Sequence, residues 1–110
     1  MGHFDDKAFL VSYRKAPDRA FRMLMDEFRD RVFLFCRRVA KGDMEAEDIA
    51  QEVFIRVWRG LNRFRGDSRL ATWIYRIAWN VCASHLERRG RAPEKTPLLE
   101  TDEPGRGGFS

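Results

Sequence analysis

Apolar residues recur at helical spacing through most of the chain, and this periodicity constrains the fold more than any other feature. Three long stretches, residues 18–40, 43–61 and 70–89, place apolar side chains three or four positions apart, the spacing of one buried helix face. A shorter amphipathic stretch, residues 5–14, precedes them. The alternation of apolar and polar residues that is typical of a strand is not found. We therefore predict an all-α fold, a compact antiparallel bundle of about four helices with short connections.

Residues with side-chain oxygens stand where the later helices should begin. Asp43 opens the third helix, and Asp67 or Ser68 precedes the fourth. Such side chains can accept the free backbone N–H groups of a first helical turn, so we expect them to be N-caps. Gly90 follows the last apolar stretch, as glycine commonly does at a helix end.

Length and composition limit the chain to one domain. A chain of 110 residues, 44% hydrophobic and 35% charged, can bury a single core. Residues 92–110 are rich in proline, glycine and charge, and are expected to form a disordered linker or tail after a helical domain of residues 1–91. No apolar run has membrane-spanning length and the start lacks a signal-peptide pattern, so a cytoplasmic protein without membrane insertion is expected.

The two cysteines, Cys36 and Cys82, both fall on predicted apolar helix faces. Buried, reduced thiols are the usual state of such residues in a cytoplasmic core. Cys82 and His85 have the spacing of half a zinc site, but the other histidine, His3, is far away in sequence. The sequence therefore predicts no metal and no cofactor.

The basic residues are concentrated in one segment. Residues 63–91 carry seven arginines against two acidic residues, a net charge of +5, whereas the whole chain carries +4. On the fourth helix, the face opposite the apolar stripe holds Tyr75, Arg76 and Trp79, with Asn80 at its edge. Bases stack on aromatic rings and phosphates pair with arginine, so this face favours a single-stranded nucleic acid. The alternative is that the N-terminal segment covers the two aromatic rings.

The third helix has a polar face with one apolar residue in its middle. Ile55 lies among Asp48, Gln51 and Glu52, opposite a predicted core stripe that includes Trp58. An apolar centre with a polar rim is typical of a small protein interface. The alternatives are an ordinary solvated face, or an enzyme that uses Asp48 and Glu52 as metal ligands or as acid and base. A convex helix surface offers no pocket to shift their pKa values, which disfavours catalysis.

Two motifs together carry a resemblance to a known family. They are DMEAEDIAQEVFIRVWR at residues 43–59 and FRGDSRLATWIYRIAWN at residues 64–80. In this order and spacing they resemble conserved region 2 of bacterial sigma factors, in the compact form of the extracytoplasmic-function group. The resemblance covers about residues 8–91. It implies the helical bundle predicted above and a non-enzymatic domain of transcription initiation.

The resemblance also implies two binding surfaces. In the family, the third helix docks on the clamp helices of the largest RNA polymerase subunit, which implies contacts by Asp48, Gln51, Glu52 and Ile55. The next loop and the fourth helix capture the melted non-template strand of the minus-ten promoter element and hold a flipped base. The DNA-binding residues implied here are Arg63, Phe64, Arg65, Gly66, Asp67, Ser68, Thr72, Trp73, Tyr75, Arg76, Trp79, Asn80, Arg88 and Arg89.

The chain departs from the family pattern in two places. Trp79 stands where relatives often have a smaller or basic residue. The family's second domain, which reads the minus-thirty-five element, has no counterpart after Gly90, so we expect residues 91–110 to begin an interdomain linker of a fragment or of a single-domain relative.

Many family members are held inactive by an anti-sigma factor, which is therefore a further candidate partner. The competing interpretation of the chain is a sigma-like helical interaction module, or decoy, that uses the polar face of the third helix and never binds DNA. Steeply salt-dependent binding of single strands would separate the two.

Overall fold

The computed structural model describes residues 4–88, which fold into one helical bundle. The predicted all-α architecture is confirmed, and no strand occurs in this range. A 3-10 turn, Leu61–Arg63, follows the third helix. Arg89, Gly90 and the predicted tail lie outside the described residues. The helices are α1 (Asp6–Lys15), α2 (Pro17–Arg37), α3 (Asp43–Gly60) and α4 (Leu70–Arg88).

All four helices contribute to a single apolar core. Phe9 is the buried residue of α1, and the longer helices bury their predicted stripes. Complete burial of a large aliphatic or aromatic side chain contributes roughly 1.5–3 kcal/mol, so the core supplies the main stabilisation. α3 packs against both α2 and α4. The largest fully buried side chains are Phe28, Leu24, Ile49, Leu61, Leu70, Ile74, Val32, Val53, Val57 and Val81.

The prediction that Trp58 lies in the core is wrong. Its side chain is 39% exposed, and its ring packs edge-on against Phe21 of α2 with the centroids 5.1 Å apart. At about 100° per residue, Trp58 is rotated far from Val57, which is fully buried, and beyond Phe54 on the same side. The helical stripe therefore ends at Phe54, and Trp58 forms its rim.

The predicted cap of α3 is also wrong. Asp43 is the first helical residue, and Gly42 with φ of 133° is the cap position. Only glycine adopts such a backbone conformation readily, so the chain turns into the helix at Gly42. The Asp43 carboxylate pairs instead with Arg37 at 3.2 Å, and Glu45 accepts the backbone N–H of Lys41 at 2.6 Å.

Neither Asp67 nor Ser68 caps α4. The first hydrogen bond within α4 runs from the N–H of Trp73 to the carbonyl of Arg69, so Arg69 holds the cap position. The side chain of Arg69 carries no hydrogen-bond acceptor. The hydroxyl of Ser68 donates to that same residue's carbonyl at 3.2 Å. The N–H of Leu70 donates to the Oδ2 atom of Asp6 in α1 at 2.8 Å. The cap thus comes from another helix, 64 residues away.

No helix within residues 4–88 is long and apolar enough to cross a membrane.

Candidate nucleic-acid and protein-binding surfaces

The loop of residues 64–69 is anchored at both ends. At its start, the N–H of Phe64 donates to the Leu61 carbonyl at 3.1 Å, and the Phe64 ring packs on Trp73 with centroids 5.0 Å apart. At its end, Asp6 holds the N–H of Leu70. Between these anchors Ser68 is half-buried and the side chains of Arg65, Asp67 and Arg69 are exposed, as is Gly66. The loop is therefore fixed at both ends, and residues 65–67 form its exposed tip.

Trp73, one of the predicted DNA-binding residues, packs between the loop and the end of α3. A Cβ atom on Gly60 would lie 3.0 Å from Cζ2 of the Trp73 indole, so the ring packs directly on the end of α3. Phe64 covers the ring from the loop side. Gly66 plays a different part, because its φ of 84° favours glycine although a Cβ would meet nothing within 4 Å.

The α4 face, defined as Tyr75, Arg76, Trp79 and Asn80, is half-buried rather than fully exposed. Tyr75 packs against Phe35 of α2, with ring centroids 6.0 Å apart. The neighbour of Tyr75 thus belongs to α2 and not to the N-terminal segment that the alternative invoked. A ring that is held on one side and open on the other suits stacking, because little side-chain freedom is lost on binding.

The cations around the loop leave this part of the surface strongly positive. Arg63, Arg65 and Arg69 flank or form the loop, and their side chains are exposed. Arg88, also exposed, lies at the far end of α4. None of the four pairs with a carboxylate in the part of the chain that is described. Exposed arginines grouped at the loop attract a polyanion and raise its local concentration.

The predicted polar face of α3 is divided between two surroundings. Asp48 and Gln51 are exposed, and Ile55 is 49% exposed. Glu52 is only about one-third exposed and its carboxylate faces α4: it accepts from Arg56 at 3.1 Å and lies 3.3 Å from Nε2 of His85. Glu52 therefore joins α3 to α4 instead of sharing the free face. Within residues 4–88 no three histidine, cysteine or acidic side chains are grouped to hold a metal ion.

An apolar groove between α2 and α3, which we call the α2–α3 groove, was not predicted from the sequence. Its volume is about 750 Å³, and Ile55 and Gln51 form part of its wall. One signal could have indicated it, since Phe33 on α2 stands off the core stripe just as Ile55 does on α3. Exposed apolar concavities with a few polar groups are typical of binding sites. The lining residues are Phe21, Met25, Arg29, Asp30, Phe33, Glu47, Ala50, Gln51, Phe54, Ile55 and Trp58.

The two thiols belong to neither surface. Cys36 and Cys82 are unpaired by disulfide and completely buried, as predicted. Their side chains form a hydrogen bond between α2 and α4, and this bond together with burial raises the pKa of Cys82 far above its usual value. The same hydrogen bond lowers the pKa of Cys36, so the protection of that thiol depends on its complete burial.

Comparison with known proteins finds similarity to sigma factors. The family described as Sigma-70 region 2 matches residues 24–92. The RNA polymerase sigma-H factor of Pseudomonas aeruginosa is 36% identical over 97 residues, which are 88% of this chain and 50% of that protein. The ECF RNA polymerase sigma-E factor of Escherichia coli K12 is 36% identical over 94 residues, 84% of this chain and 48% of that protein. The chain thus spans about half the length of these relatives.

A solved structure shows the same architecture. It is the NMR structure of an engineered region 2 of sigmaE in complex with GTAAAA. The two structures align with a TM-score of 0.70 and 27% sequence identity, over 82% of this chain and 95% of that one.

Proposed function

The chain belongs to the Sigma-70 region 2 family, and from this premise we propose that it joins core RNA polymerase to single-stranded promoter DNA at the start of transcription. Its contribution is binding energy, with no covalent bond made or broken. The observation that carries the proposal is the anchored loop of residues 64–69 beside the α4 face and a cluster of free arginines, in a fold whose solved relative is a complex with GTAAAA.

On the DNA side, the loop and Asn80 select the sequence and the other groups supply affinity. The amide of Asn80 both donates and accepts, so it can pair with the edge of a base flipped out of the stack. Tyr75 and Trp79 replace the stacking that is lost on melting, which contributes roughly 1–3 kcal/mol per base. The exposed arginines of the loop and of the α4 end neutralise phosphates without choosing a sequence.

On the polymerase side, we assign docking to Asp48, Gln51 and Ile55 together with the α2–α3 groove beside them. A groove with an apolar floor and a polar rim is suited to a helical partner, such as the clamp helices of the largest polymerase subunit. The carboxylate of Asp48 can accept hydrogen bonds from arginines of that partner. We assign Glu52 an indirect part, because Arg56 and His85 occupy its carboxylate.

An anti-sigma factor that covered either surface would prevent transcription, and we include it as a candidate partner. The decoy interpretation is less favoured, because it leaves the arginine cluster and the anchored loop without a purpose.

Titration of labelled single strands with the chain and core polymerase, at several salt concentrations, tests the function. We expect a ternary complex whose affinity falls steeply with salt, and a preference among strand sequences. A chain that binds polymerase but no strand at any salt concentration would be a decoy, and the proposal would be abandoned.

A further inference from the structure

We propose that Asp6 of α1 is a positioning residue for the loop of residues 64–69, which makes α1 a working part of the DNA site. The inference rests on the function proposed above. It assigns a role in sequence selection to a residue that lies outside both motifs and has no counterpart in the predicted site.

The hydrogen bond between Asp6 and Leu70 lies at the first turn of α4. The first backbone N–H groups of a helix have no acceptor within the helix, and here the local cap position, Arg69, supplies none. Asp6 fills this need by accepting the N–H of Leu70 through Oδ2 at 2.8 Å. Its negative charge also lies at the positive end of the α4 dipole, which adds to the stabilisation.

The segment that carries Asp6 is itself packed against the bundle. Phe9, on the same helix, is 4% exposed in the core. Phe4 packs against Phe28 of α2 with centroids 5.4 Å apart. Because this segment is packed against the core, the hydrogen bond to Asp6 fixes the end of the loop relative to the bundle.

A carboxylate beside a DNA site is electrostatically unfavourable, since it repels the phosphates that the arginines attract. Its presence at the loop therefore has a structural purpose. Hydrogen bonds to a base require the loop and Asn80 to keep a fixed relative geometry, within about 0.5 Å. Phosphate contacts from long arginine side chains tolerate a mobile loop. Loss of the Asp6 contact should therefore reduce discrimination between sequences more than it reduces general affinity.

The test compares Asp6→Ala with Asp5→Ala, because both remove one helix cap of similar strength from neighbouring positions. Asp5 caps α1 itself, whereas Asp6 caps α4. The probes are the hexanucleotide that the unaltered chain prefers, selected from a pool that includes GTAAAA, and a scrambled strand of the same composition, with core polymerase present. A cap is worth about 1 kcal/mol, so Asp6→Ala should lower the ratio of the two affinities about five-fold.

Asp5→Ala should leave that ratio within about two-fold, and so should Asp6→Asn, whose amide oxygen can still accept from Leu70. Without DNA, hydrogen exchange at the Leu70 amide should accelerate in Asp6→Ala and stay unchanged in Asp5→Ala. If Asp6→Ala loses its helical circular dichroism, Asp6→Glu replaces it, because it keeps the charge and displaces the carboxylate.

The outcomes separate the two claims. If the unaltered chain prefers no strand, the proposed function fails, and this inference fails with it. If the unaltered chain discriminates and Asp6→Ala discriminates equally well, only the role of Asp6 is overturned. Equal losses in Asp5→Ala and Asp6→Ala would show a general loss of stability and would also overturn it.

Discussion

The proposed DNA surface, which is the loop of residues 64–69 with the α4 face, differs in construction from the α2–α3 groove. The loop of residues 64–69 depends on contacts from elsewhere, with Asp6 holding one end and Trp73 the other. The groove lies between two helices that pack against each other, and apolar side chains line most of it. A surface that must recognise a base needs fixed polar atoms, whereas one that receives a helix needs shape and apolar area. We therefore expect the two surfaces to respond separately to substitution.

The largest effect should follow from added positive charge on the exposed face of α3 beside the groove. Asp48→Arg combined with Gln51→Arg places two cations where a partner's arginines are proposed to dock, and like charges at an interface are strongly unfavourable. Binding to core polymerase should weaken by about a hundred-fold or more. Isothermal titration with core polymerase measures this change.

Met44→Arg is the matched control for this pair, because Met44 is also on α3, is 83% exposed and does not line the groove. It should bind core polymerase normally, and all variants should keep their helicity and melting temperature. Undiminished binding by the double variant would remove the polymerase role from this face.

The next effect should separate sequence selection from affinity on the DNA side. Asn80→Ala should weaken binding to the preferred strand by roughly 1–3 kcal/mol and hardly change binding to a scrambled strand, as expected for one lost base contact. Fluorescence anisotropy with both labelled strands, in the presence of polymerase, gives the two values.

Arg65→Ala combined with Arg69→Ala provides the contrast. This variant should weaken both strands alike and reduce the salt dependence by up to about two phosphate contacts. If Asn80→Ala also weakened both strands equally, Asn80 would be reduced to a surface amide without a part in selection.

A smaller effect is expected at the support of the loop. Gly60→Ala places a methyl group 3.0 Å from the Trp73 ring, which Phe64 prevents from moving away freely. We expect a loss of about 1 kcal/mol in unfolding free energy and weaker binding of the preferred strand, with polymerase binding unchanged. Urea titration followed by tryptophan fluorescence measures the first, and the anisotropy assay the second. Equal losses at both surfaces would contradict their independence.

The smallest effect should be at the buried thiols. The raised pKa of Cys82 keeps this thiol protonated at neutral pH, and protonated thiols react slowly. Labelling of Cys36 and Cys82 should be slow in the native state, fast in denaturant, and unaffected by DNA or polymerase. Rapid native labelling of either residue, followed by mass spectrometry, would show that the core opens between α2 and α4.

The sequence was sufficient to predict features that belong to a single helix. Periodicity identified the buried stripes of α2, α3 and α4, because burial of a helix face repeats every three or four residues. It failed at Trp58, since the width of a stripe depends on how far the neighbouring helix extends. It also identified the residue types of the α4 face, because large aromatic side chains opposite the apolar stripe of a helix are unusual.

Features that join two distant parts of the chain escaped prediction. The cap of α4 by Asp6 spans 64 residues, and no local pattern marks it. Glu52 was grouped with Asp48 and Gln51 by its position on α3, yet His85 of α4 engages it because α4 packs on that side. The groove depends on how α2 and α3 pack against each other, which periodicity does not describe.

The loop of residues 64–69 is exposed in its middle and anchored at both ends, and this arrangement determines where related domains can differ in sequence. Residues 65–67 and Arg69 are exposed, and the stability of the bundle depends little on their side chains. Gly66 alone is restricted, by its positive φ. Under the function proposed above, new side chains at the tip would therefore change which DNA is bound without disturbing the core or the proposed polymerase surface. One inherited scaffold can in this way serve many separate sets of genes.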